Sequence, residues 1–478
     1  MTLRRTVAVA LAVLMAAVFA LSDAANAQRP PGNGHGGGHG WGGVGTGALI
    51  GLGVGIAVGI ASQPPAQGAP IDVDDPPPPG RQVVAPRIPR RPTGVPPNGE
   101  RRFVPDEVLL EVPNSVSAAT VITIERQFRL TRLDAQPIPL LGSTLYRYRI
   151  PDRSSVPRVV AALEAGRHVA QPNYLFAMQQ AAAQTASAPQ SKPYDPAQYA
   201  VSKMRLMEAH AVAKGDDVRV AVIDSGIDPD QPELAGAIAD HFDTLSTPFA
   251  PHTHGTAIAA LIAGHSRLMG SAPAARILAV RAFDPAGNAA EATTFSIIRA
   301  IDWSVTQRAR IINMSFAGPA DPAIHRALDA ANKKGVVLIA AAGNAGPKSP
   351  PLYPAADPIV IAVTATDAND QLFQGSNRGR HVAVAAPGVD ILIAVPNGGY
   401  EVSTGTSFSA AEVSGIVALM LQRKSDLTPA AVRDTLLATA KDVGKKGRDD
   451  EFGAGIADAY RAVTEIPGAR VSDAVPPK

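Results

Sequence analysis

The chain has 478 residues, which is long enough for two or three domains and for a core that can carry an enzyme site. Hydrophobic residues make up 46% of it and charged residues 18%, and the formal net charge is +2. This near-neutral balance argues against a dedicated nucleic-acid-binding protein, which normally has a strongly basic face. The chain has no cysteine, so disulfides, thiolate metal sites and a cysteine nucleophile are excluded.

The N-terminus has the features of an export signal. Arg4 and Arg5 precede an apolar run over residues 7–21, and Ala25-Asn26-Ala27 supplies the small residues of a cleavage site. The apolar run has about 15 residues, which is short for a membrane-spanning helix. We therefore favour a cleaved signal peptide over residues 1–27 rather than an uncleaved anchor. The protein is then exported, and is secreted, periplasmic or located at the cell surface.

Residues 28–101 have the composition of a linker, rich first in glycine and histidine and then in proline. Such a segment buries too little apolar surface to offset the entropy lost on folding. Within it, residues 44–61 are uncharged and have a glycine at every fourth position, namely Gly47, Gly51, Gly55 and Gly59. On a helix these glycines would share one face, as in small-xxx-small packing motifs. Membrane association and a flexible tether are both open interpretations of residues 44–61.

Residues 102–180 alternate between strand-like and helix-like patterns, and residues 107–112 have the alternation of a half-buried strand. The order β-α-β-β-α-β is typical of a small α+β, ferredoxin-like domain. The predicted strands are residues 107–112, 145–150 and 169–176 with a further strand near 130–133, and the predicted helices are residues 117–128 and 155–164. A polar connector over residues 181–198 follows.

From residue 199 to 466, continuous apolar runs alternate with helical stretches. Such runs are typical of strands buried on both faces, which predicts an α/β fold with a mostly parallel sheet and helices on both faces. The predicted strands are residues 218–223, 277–280, 310–314, 336–341 and 359–363, and the predicted helices are residues 254–263, 293–307 and 322–334. Residues 467–478 are interpreted as a tail.

Four short motifs lie in this region, each at the end of a strand or the start of a helix. Asp224-Ser-Gly226 follows the first strand, and His254-Gly-Thr256 opens a helix. Ala341-Ala-Gly-Asn344 ends a later strand, and Gly405-Thr-Ser407 opens a long apolar helix. Each tripeptide alone is a weak signal, but four of them in order at element ends are specific.

The motifs supply the groups that hydrolyse a peptide bond with a serine nucleophile. The serine needs a base to take its proton, and the base needs a carboxylate to fix its tautomer. We predict that Ser407 is the nucleophile, His254 the base and Asp224 the carboxylate. The backbone N–H of Ser407, at a helix N-terminus, and the side-chain amide of Asn344 would bind the oxyanion.

Nearby residues of the same types are weaker candidates. His252 lies two residues before His254 but is not followed by the glycine and threonine, so we interpret it as a loop residue. Ser409 lies two positions into the helix and would point away from the cleft. Asp228 and Asp230 are interpreted as a solvated surface rather than a metal site.

On these motifs, residues 199–463 resemble the catalytic domain of subtilisin-like serine proteases, whose triad has the same chain order of Asp, His and Ser. Leu352-Tyr-Pro354 resembles the family's turn at the rim of the specificity pocket, where the X-Pro bond is usually cis. Ala385-Ala-Pro-Gly388 and Phe452-Gly-Ala-Gly-Ile456 fit further family landmarks.

Residues 102–178, with Gln171-Pro-Asn-Tyr174 near their end, resemble the family's inhibitory propeptide. The resemblance implies a serine endopeptidase that is made as a self-processing precursor and acts on protein or peptide substrates. Its own propeptide is a further partner. The chemistry needs no cofactor. Members of the family often bind structural calcium, but no ligand set can be mapped on this sequence.

The resemblance also assigns the walls of the pocket for the residue before the scissile bond to Ser315-Phe316-Ala317 and Ala341-Ala342-Gly343. These walls are uncharged, so we expect an apolar or aromatic side chain there. Ala317 stands where the family often has glycine, and its methyl group would narrow the cleft. Two alternatives remain: a surface protein that keeps the fold without catalysis, and a peptidase confined to the maturation of one partner.

Overall fold

A computed structural model describes residues 93–178, 198–285 and 290–468 of the chain. The predicted signal peptide, the segment over residues 44–61, nearly all of the connector and most of the tail lie outside the described residues. Among those that are described, no helix combines the length and the apolar character needed to cross a membrane.

An N-terminal α+β domain comes first, and its element order is the predicted β-α-β-β-α-β. Its strands lie in the order β2-β3-β1-β4, with neighbouring strands antiparallel, which is the ferredoxin-like arrangement. The elements are β1 (Phe103–Pro113), α1 (Ala118–Phe128), β2 (Thr131–Ile138), β3 (Ser143–Arg149), α2 (Val156–Ala165) and β4 (Val169–Ala177).

The prediction of a half-buried first strand is wrong, because β1 is buried on both faces. Val108 and Leu110 pack against the helices of the α+β domain. Leu109, on the opposite face, is fully buried in a cluster that includes residues of the large sheet that follows. The large sheet and its helices therefore cover the face of the small sheet that the alternating sequence pattern predicted to be exposed to solvent.

The remainder of the chain forms the predicted parallel sheet, with seven strands in the order β12-β11-β10-β9-β5-β7-β6. All five predicted strands are present; β6 and β12 were not predicted, since β6 is a largely exposed edge strand and β12 is rich in alanine. The seven strands of this sheet are β5 (Arg219–Asp224), β6 (Ile238–Asp243), β7 (Arg276–Arg281), β9 (Ile311–Met314), β10 (Val337–Ala341), β11 (Ile361–Thr366) and β12 (Val382–Pro387). Three further strands lie outside it: β8 (Glu291–Thr293) pairs with β4, and β13 (Ile391–Val395) pairs with β14 (Gly399–Ser403).

Helices cover both faces of this sheet, as predicted. Alternate residues of one strand show this: Val222 belongs to the core on the side of α5 and α8, and Ile223 to the core on the side of α6 and α7. The helices are α3 (Tyr199–Lys203), α4 (Leu206–His210), α5 (Thr253–Ala263), α6 (Thr294–Thr306), α7 (Pro322–Lys333), α8 (Thr406–Arg423), α9 (Pro429–Thr439) and α10 (Ala459–Thr464). Short 3₁₀ turns lie at Pro139–Leu141 and Pro232–Leu234.

Candidate active site

Asp224 is the last residue of β5, and its carboxylate lies at the carboxyl edge of the parallel sheet. The side chain is 1% exposed. Its Oδ1 accepts from the backbone N–H of Ser225 at 2.8 Å and lies 3.1 Å from the Ser225 hydroxyl. These contacts fix a buried carboxylate where a catalytic group of an α/β sheet is expected.

His254 lies in the first turn of α5 and faces this carboxylate. Its Nδ1 is 2.9 Å from Asp224 Oδ1 and 3.0 Å from Oδ2. Because a carboxylate only accepts, Nδ1 carries the proton and Nε2 has the lone pair. His254 Nε2 is buried, and no residue within the described part of the chain hydrogen-bonds to it.

Gly255 is what allows this close approach. A Cβ atom at this position would lie 2.8 Å from the Ser225 carbonyl oxygen and 3.2 Å from Asp224 Oδ1. Any side chain would therefore push α5 away from the end of β5. The glycine of the His254-Gly-Thr256 motif therefore has a direct steric basis.

Ser407 lies in the first turn of α8, and its hydroxyl donates to the Ser315 carbonyl at 3.4 Å. Helix α8 packs against α5, and the Phe408 ring lies 6.2 Å from the His254 ring, centroid to centroid. The structure thus brings Ser407 to the same edge as His254 without a hydrogen bond between Oγ and Nε2, a looseness that is common in unliganded sites. The Ser409 hydroxyl instead donates to the carbonyls of Ala386 and Pro387, both at 3.0 Å.

Asn344 follows β10 and contacts the start of α8. Its Oδ1 accepts from the Thr406 backbone N–H at 3.0 Å and from the Thr406 hydroxyl at 2.8 Å. Two donors on one oxygen fix the orientation of the amide beside Ser407. The role of Thr406 in orienting the Asn344 amide was not predicted, although Thr406 lies within the Gly405-Thr-Ser407 motif.

The residues predicted to form the walls of the substrate pocket do not all point towards the same cleft. The Ser315 hydroxyl donates to the Ser407 carbonyl at 3.2 Å, so Ser315 directly contacts the predicted nucleophile. The Phe316 side chain points instead into the core, with its ring 4.8 Å from Phe283 and 6.1 Å from Phe176 between centroids. Residues Ala317, Ala341, Ala342 and Gly343 are all buried.

The turn at Leu352-Tyr-Pro354 has the expected cis bond, between Tyr353 and Pro354. Tyr353 pairs with Gly318, and the two residues exchange backbone hydrogen bonds of 2.8 and 3.1 Å. The turn therefore lies beside the segment that follows Ser315.

The interpretation of Asp228 as a solvated residue is wrong, whereas Asp230 is exposed. Asp228 is 5% exposed, and its carboxylate accepts from the backbone N–H groups of Asp230 at 3.0 Å and Asn397 at 2.8 Å. It is a structural anchor for the turn between β13 and β14. Across residues 93–178, 198–285 and 290–468, no three acidic or histidine side chains converge on a point that could hold a metal ion.

The fold is a parallel α/β sheet with Asp224 and His254 paired at its carboxyl edge and Ser407 at the same edge, and comparison with known proteins identifies the family. The model of the subtilase family matches residues 215–455. Thermitase from Thermoactinomyces vulgaris is 34% identical over 274 residues, which are 56% of this chain and 95% of thermitase. The chain belongs to the subtilase family.

Two other relatives match over a smaller share of their length. Minor extracellular protease Epr of Bacillus subtilis (strain 168) is 36% identical over 55% of this chain and 41% of its own length. Subtilisin E of the same organism is 36% identical over 52% of this chain and 66% of its own length. The chain thus spans less than two thirds of these relatives.

A solved structure supports the fold. Fervidolysin from Fervidobacterium pennivorans, described as a keratinolytic enzyme related to subtilisin, superimposes with a TM-score of 0.64 at 24% identity. The match covers 78% of this chain and 63% of that one. The structural match covers a larger part of this chain than the family model, which matches residues 215–455.

Proposed function

We propose that this chain is a serine endopeptidase that hydrolyses peptide bonds through an acyl-enzyme. The observation that carries the proposal is the buried Asp224–His254 pair, whose unpartnered Nε2 lies at the edge where Ser407 begins α8. This is the geometry in which a histidine can take a proton from a serine while a carboxylate stabilises the resulting imidazolium.

The steps follow from the placement of the groups. His254 Nε2 takes the Ser407 proton as Oγ attacks the scissile carbonyl, and then gives it to the leaving amine. Water hydrolyses the acyl-enzyme by the same route in reverse. The Asn344 amide and the Ser407 N–H, which is unpaired within the helix because it lies in the first turn of α8, stabilise the oxyanion. No cofactor takes part in these steps.

A fluorophosphonate probe tests the proposal directly, because it labels only an activated serine. The wild type should be labelled, and Ser407→Ala should not. Ser409→Ala is the matched control on the same helix, and it should keep the label. An unlabelled wild type, or a label that persists in Ser407→Ala, would remove the assignment.

We also propose that the α+β domain is the propeptide of a self-processing precursor. Strand β4 continues into the second domain, where Leu175 to Ala177 pair antiparallel with β8. Phe176 then packs against Phe316, and a Cβ atom at Gly318 would lie only 2.3 Å from the Phe176 ring. The end of the α+β domain therefore packs against the segment that follows Ser315, and this contact supports the propeptide proposal.

Two amide side chains of β4 reinforce this contact by capping helices of the second domain. Gln171 accepts from the Ala323 N–H at the start of α7 at 2.9 Å and donates to Asp321 at 2.7 Å. Asn173 accepts from the Phe295 N–H at the start of α6 at 3.2 Å. The Ala323 N–H also donates to Asp321 at 2.8 Å, so the start of α7 has a cap of its own. Removal of the α+β domain would leave the Phe295 N–H at the start of α6 without its acceptor Asn173.

The register of the Ala177–Ala317 pair supports a proposal for the self-cleavage site. Ala177 forms an isolated antiparallel bridge with Ala317, and Ser315, two residues earlier in that segment, is the residue whose carbonyl accepts from Ser407. In an antiparallel pair, two residues back on one strand correspond to two residues forward on the other. We therefore place cleavage within the few residues that follow Met178. N-terminal sequencing of the mature protein tests this, and a mature N-terminus before Ala177 would contradict it.

The proposed location is outside the cytoplasm, since the N-terminus has the pattern of a cleaved signal and one relative is named an extracellular protease. For residues 44–61 we keep membrane association as the proposal to be tested. Fractionation of cells that express the chain with and without these residues is the test. An intact precursor that is already fully soluble outside the cytoplasm would leave the segment as a tether.

A further inference from the structure

His252 lies in the loop directly before α5, as predicted, and it contacts groups of the site. It is the N-cap residue of α5, and its backbone N–H donates to the Gly226 carbonyl at 2.8 Å. Its Nδ1 accepts from the His254 backbone N–H at 3.4 Å and lies 2.9 Å from the Ser225 hydroxyl. Because a backbone N–H donates to Nδ1, this nitrogen holds the lone pair of neutral His252 and the proton lies on Nε2.

The Ser225 hydroxyl is shared between His252 and the carboxylate of Asp224. Its oxygen lies 2.9 Å from His252 Nδ1 and 3.1 Å from Asp224 Oδ1, and it accepts from the Gly255 N–H at 3.2 Å. A hydroxyl has one proton, so it donates to only one of the two acceptors at a time. Neutral His252 competes with Asp224 for this proton. Protonated His252 donates to the Ser225 oxygen, which leaves Asp224 as the acceptor for the hydroxyl.

We propose that His252 is a positioning residue of the triad, which acts through the Ser225 hydroxyl to set how many hydrogen bonds Asp224 accepts. The inference rests on the proposed function, since it requires Asp224 to serve His254. A further donor on Asp224 weakens its interaction with His254 and so reduces the stabilisation of the imidazolium that His254 must form. Protonation of His252 therefore lowers kcat.

The surroundings of His252 place this protonation on the acid side of neutrality. Burial, the largest influence, lowers its pKa; Asp224 raises the pKa, and His254 lowers it. The segment over residues 244–251, which precedes His252, contains no titratable side chain. His252 is thus neutral at pH 7–8 and takes up a proton only as the pH falls below the usual range of a histidine.

The test is the pH dependence of kcat and KM for the full chain on a chromogenic peptide, for wild type, His252→Asn, Ser225→Ala and the double variant. Asparagine keeps a hydrogen-bond acceptor but cannot be charged. His241→Asn, at an exposed position of β6, is the matched control. We expect the slope of log kcat against pH, on the acid side, to exceed one in the wild type and in the control. In His252→Asn this slope should be one. Ser225→Ala should lower kcat about 3- to 10-fold at pH 8 with KM unchanged, because the Gly255 N–H beside His254 loses its acceptor.

The two effects must also be coupled, so that His252→Asn changes the acid limb no further in the Ser225→Ala background. A one-proton limb in the wild type, or additive effects at every pH, overturns the inference. An inactive wild type instead refutes the proposed function. Imidazole ¹H–¹⁵N spectra of the inactive Ser407→Ala protein give a reading that needs no activity. His252 Nδ1 should be unprotonated in the neutral form, and its titration midpoint should move in the Ser407→Ala/Ser225→Ala variant; an unchanged midpoint overturns the role.

Discussion

Ala177 and Ala317 exchange two backbone hydrogen bonds, in which the N–H of each donates to the carbonyl of the other at 2.9 and 3.0 Å. One residue ends the α+β domain and the other lies two positions after the Ser407 contact at Ser315. The pair holds the end of the α+β domain beside the segment that contacts Ser407, through main-chain bonds that any extended peptide can make.

Ala177→Pro should slow self-processing, because proline has no N–H to donate to the Ala317 carbonyl and cannot continue the strand pairing. We expect the rate of conversion of precursor to mature protein to fall about tenfold, the upper range for one lost hydrogen bond. Timed expression followed by gel analysis measures it. Ala118→Pro is the matched control, since residue 118 is the first residue of α1 and its N–H has no helical partner. Wild-type conversion in Ala177→Pro would refute the role of this pair.

Ser407→Ala should abolish both maturation and hydrolysis of casein. The expected loss of kcat is about 10⁶-fold, which is the order found in subtilisin when its nucleophile is removed. The variant should accumulate as the intact precursor with an unchanged unfolding temperature. Maturation of the purified variant in isolation would contradict the assignment of the nucleophile.

Asn344→Ala should lower kcat with little change in KM, because the amide acts on charge that develops only in the transition state. The expected loss is about 10²–10³-fold, as for the equivalent donor of subtilisin. Asn369→Ala, in an exposed turn, is the control and should keep wild-type kinetics. Near-normal turnover of Asn344→Ala would remove this residue from the mechanism.

Glu412 makes the stability of the protein depend on pH. It is 2% exposed within α8, its Oε2 has no hydrogen-bond partner among the described residues, and burial raises its pKa to about 8 against a hydrogen bond with Ser271 that lowers it. Since the folded-state pKa is raised, its contribution is fully present below pH 4.5 and is lost as the pH rises to about 8. Across that interval the loss is at most about 1.4 kcal/mol per pH unit.

Glu412→Gln, which cannot ionise, should therefore remove this pH dependence. We expect its free energy of unfolding to exceed that of the parent at pH 9 and the gap to narrow at pH 5. Urea unfolding in the Ser407→Ala background, which prevents autolysis, measures both. Glu208→Gln, at an exposed position of α4, should leave the pH dependence intact. A parent protein as stable at pH 9 as at pH 5 would contradict the prediction.

Much of the fold could be predicted because the signals for it are local. The run over residues 218–223 is apolar at nearly every position, and only a strand covered on both faces buries such a run. The element ends that carry the motifs could be placed for the same reason, since Gly255 and the residues around Ser407 mark them within a few positions. Strand β6 could not be predicted, since only its pairing with β7 holds an exposed, polar segment in extended form.

The sequence by itself determined which residues meet at the carboxyl edge of the sheet: Asp224, His254, Ser407 and Asn344 each stand at an element end that the local pattern marks. Only the tertiary structure decided which other side chains pack against these residues or form hydrogen bonds near them. The burial of Asp228, the turn of Phe316 into the core and the hydrogen bond of His252 with Ser225 all depend on segments 20 or more residues apart in the chain. Local periodicity reports the face on which a side chain lies, but the partner on that face comes from packing, which local patterns do not encode.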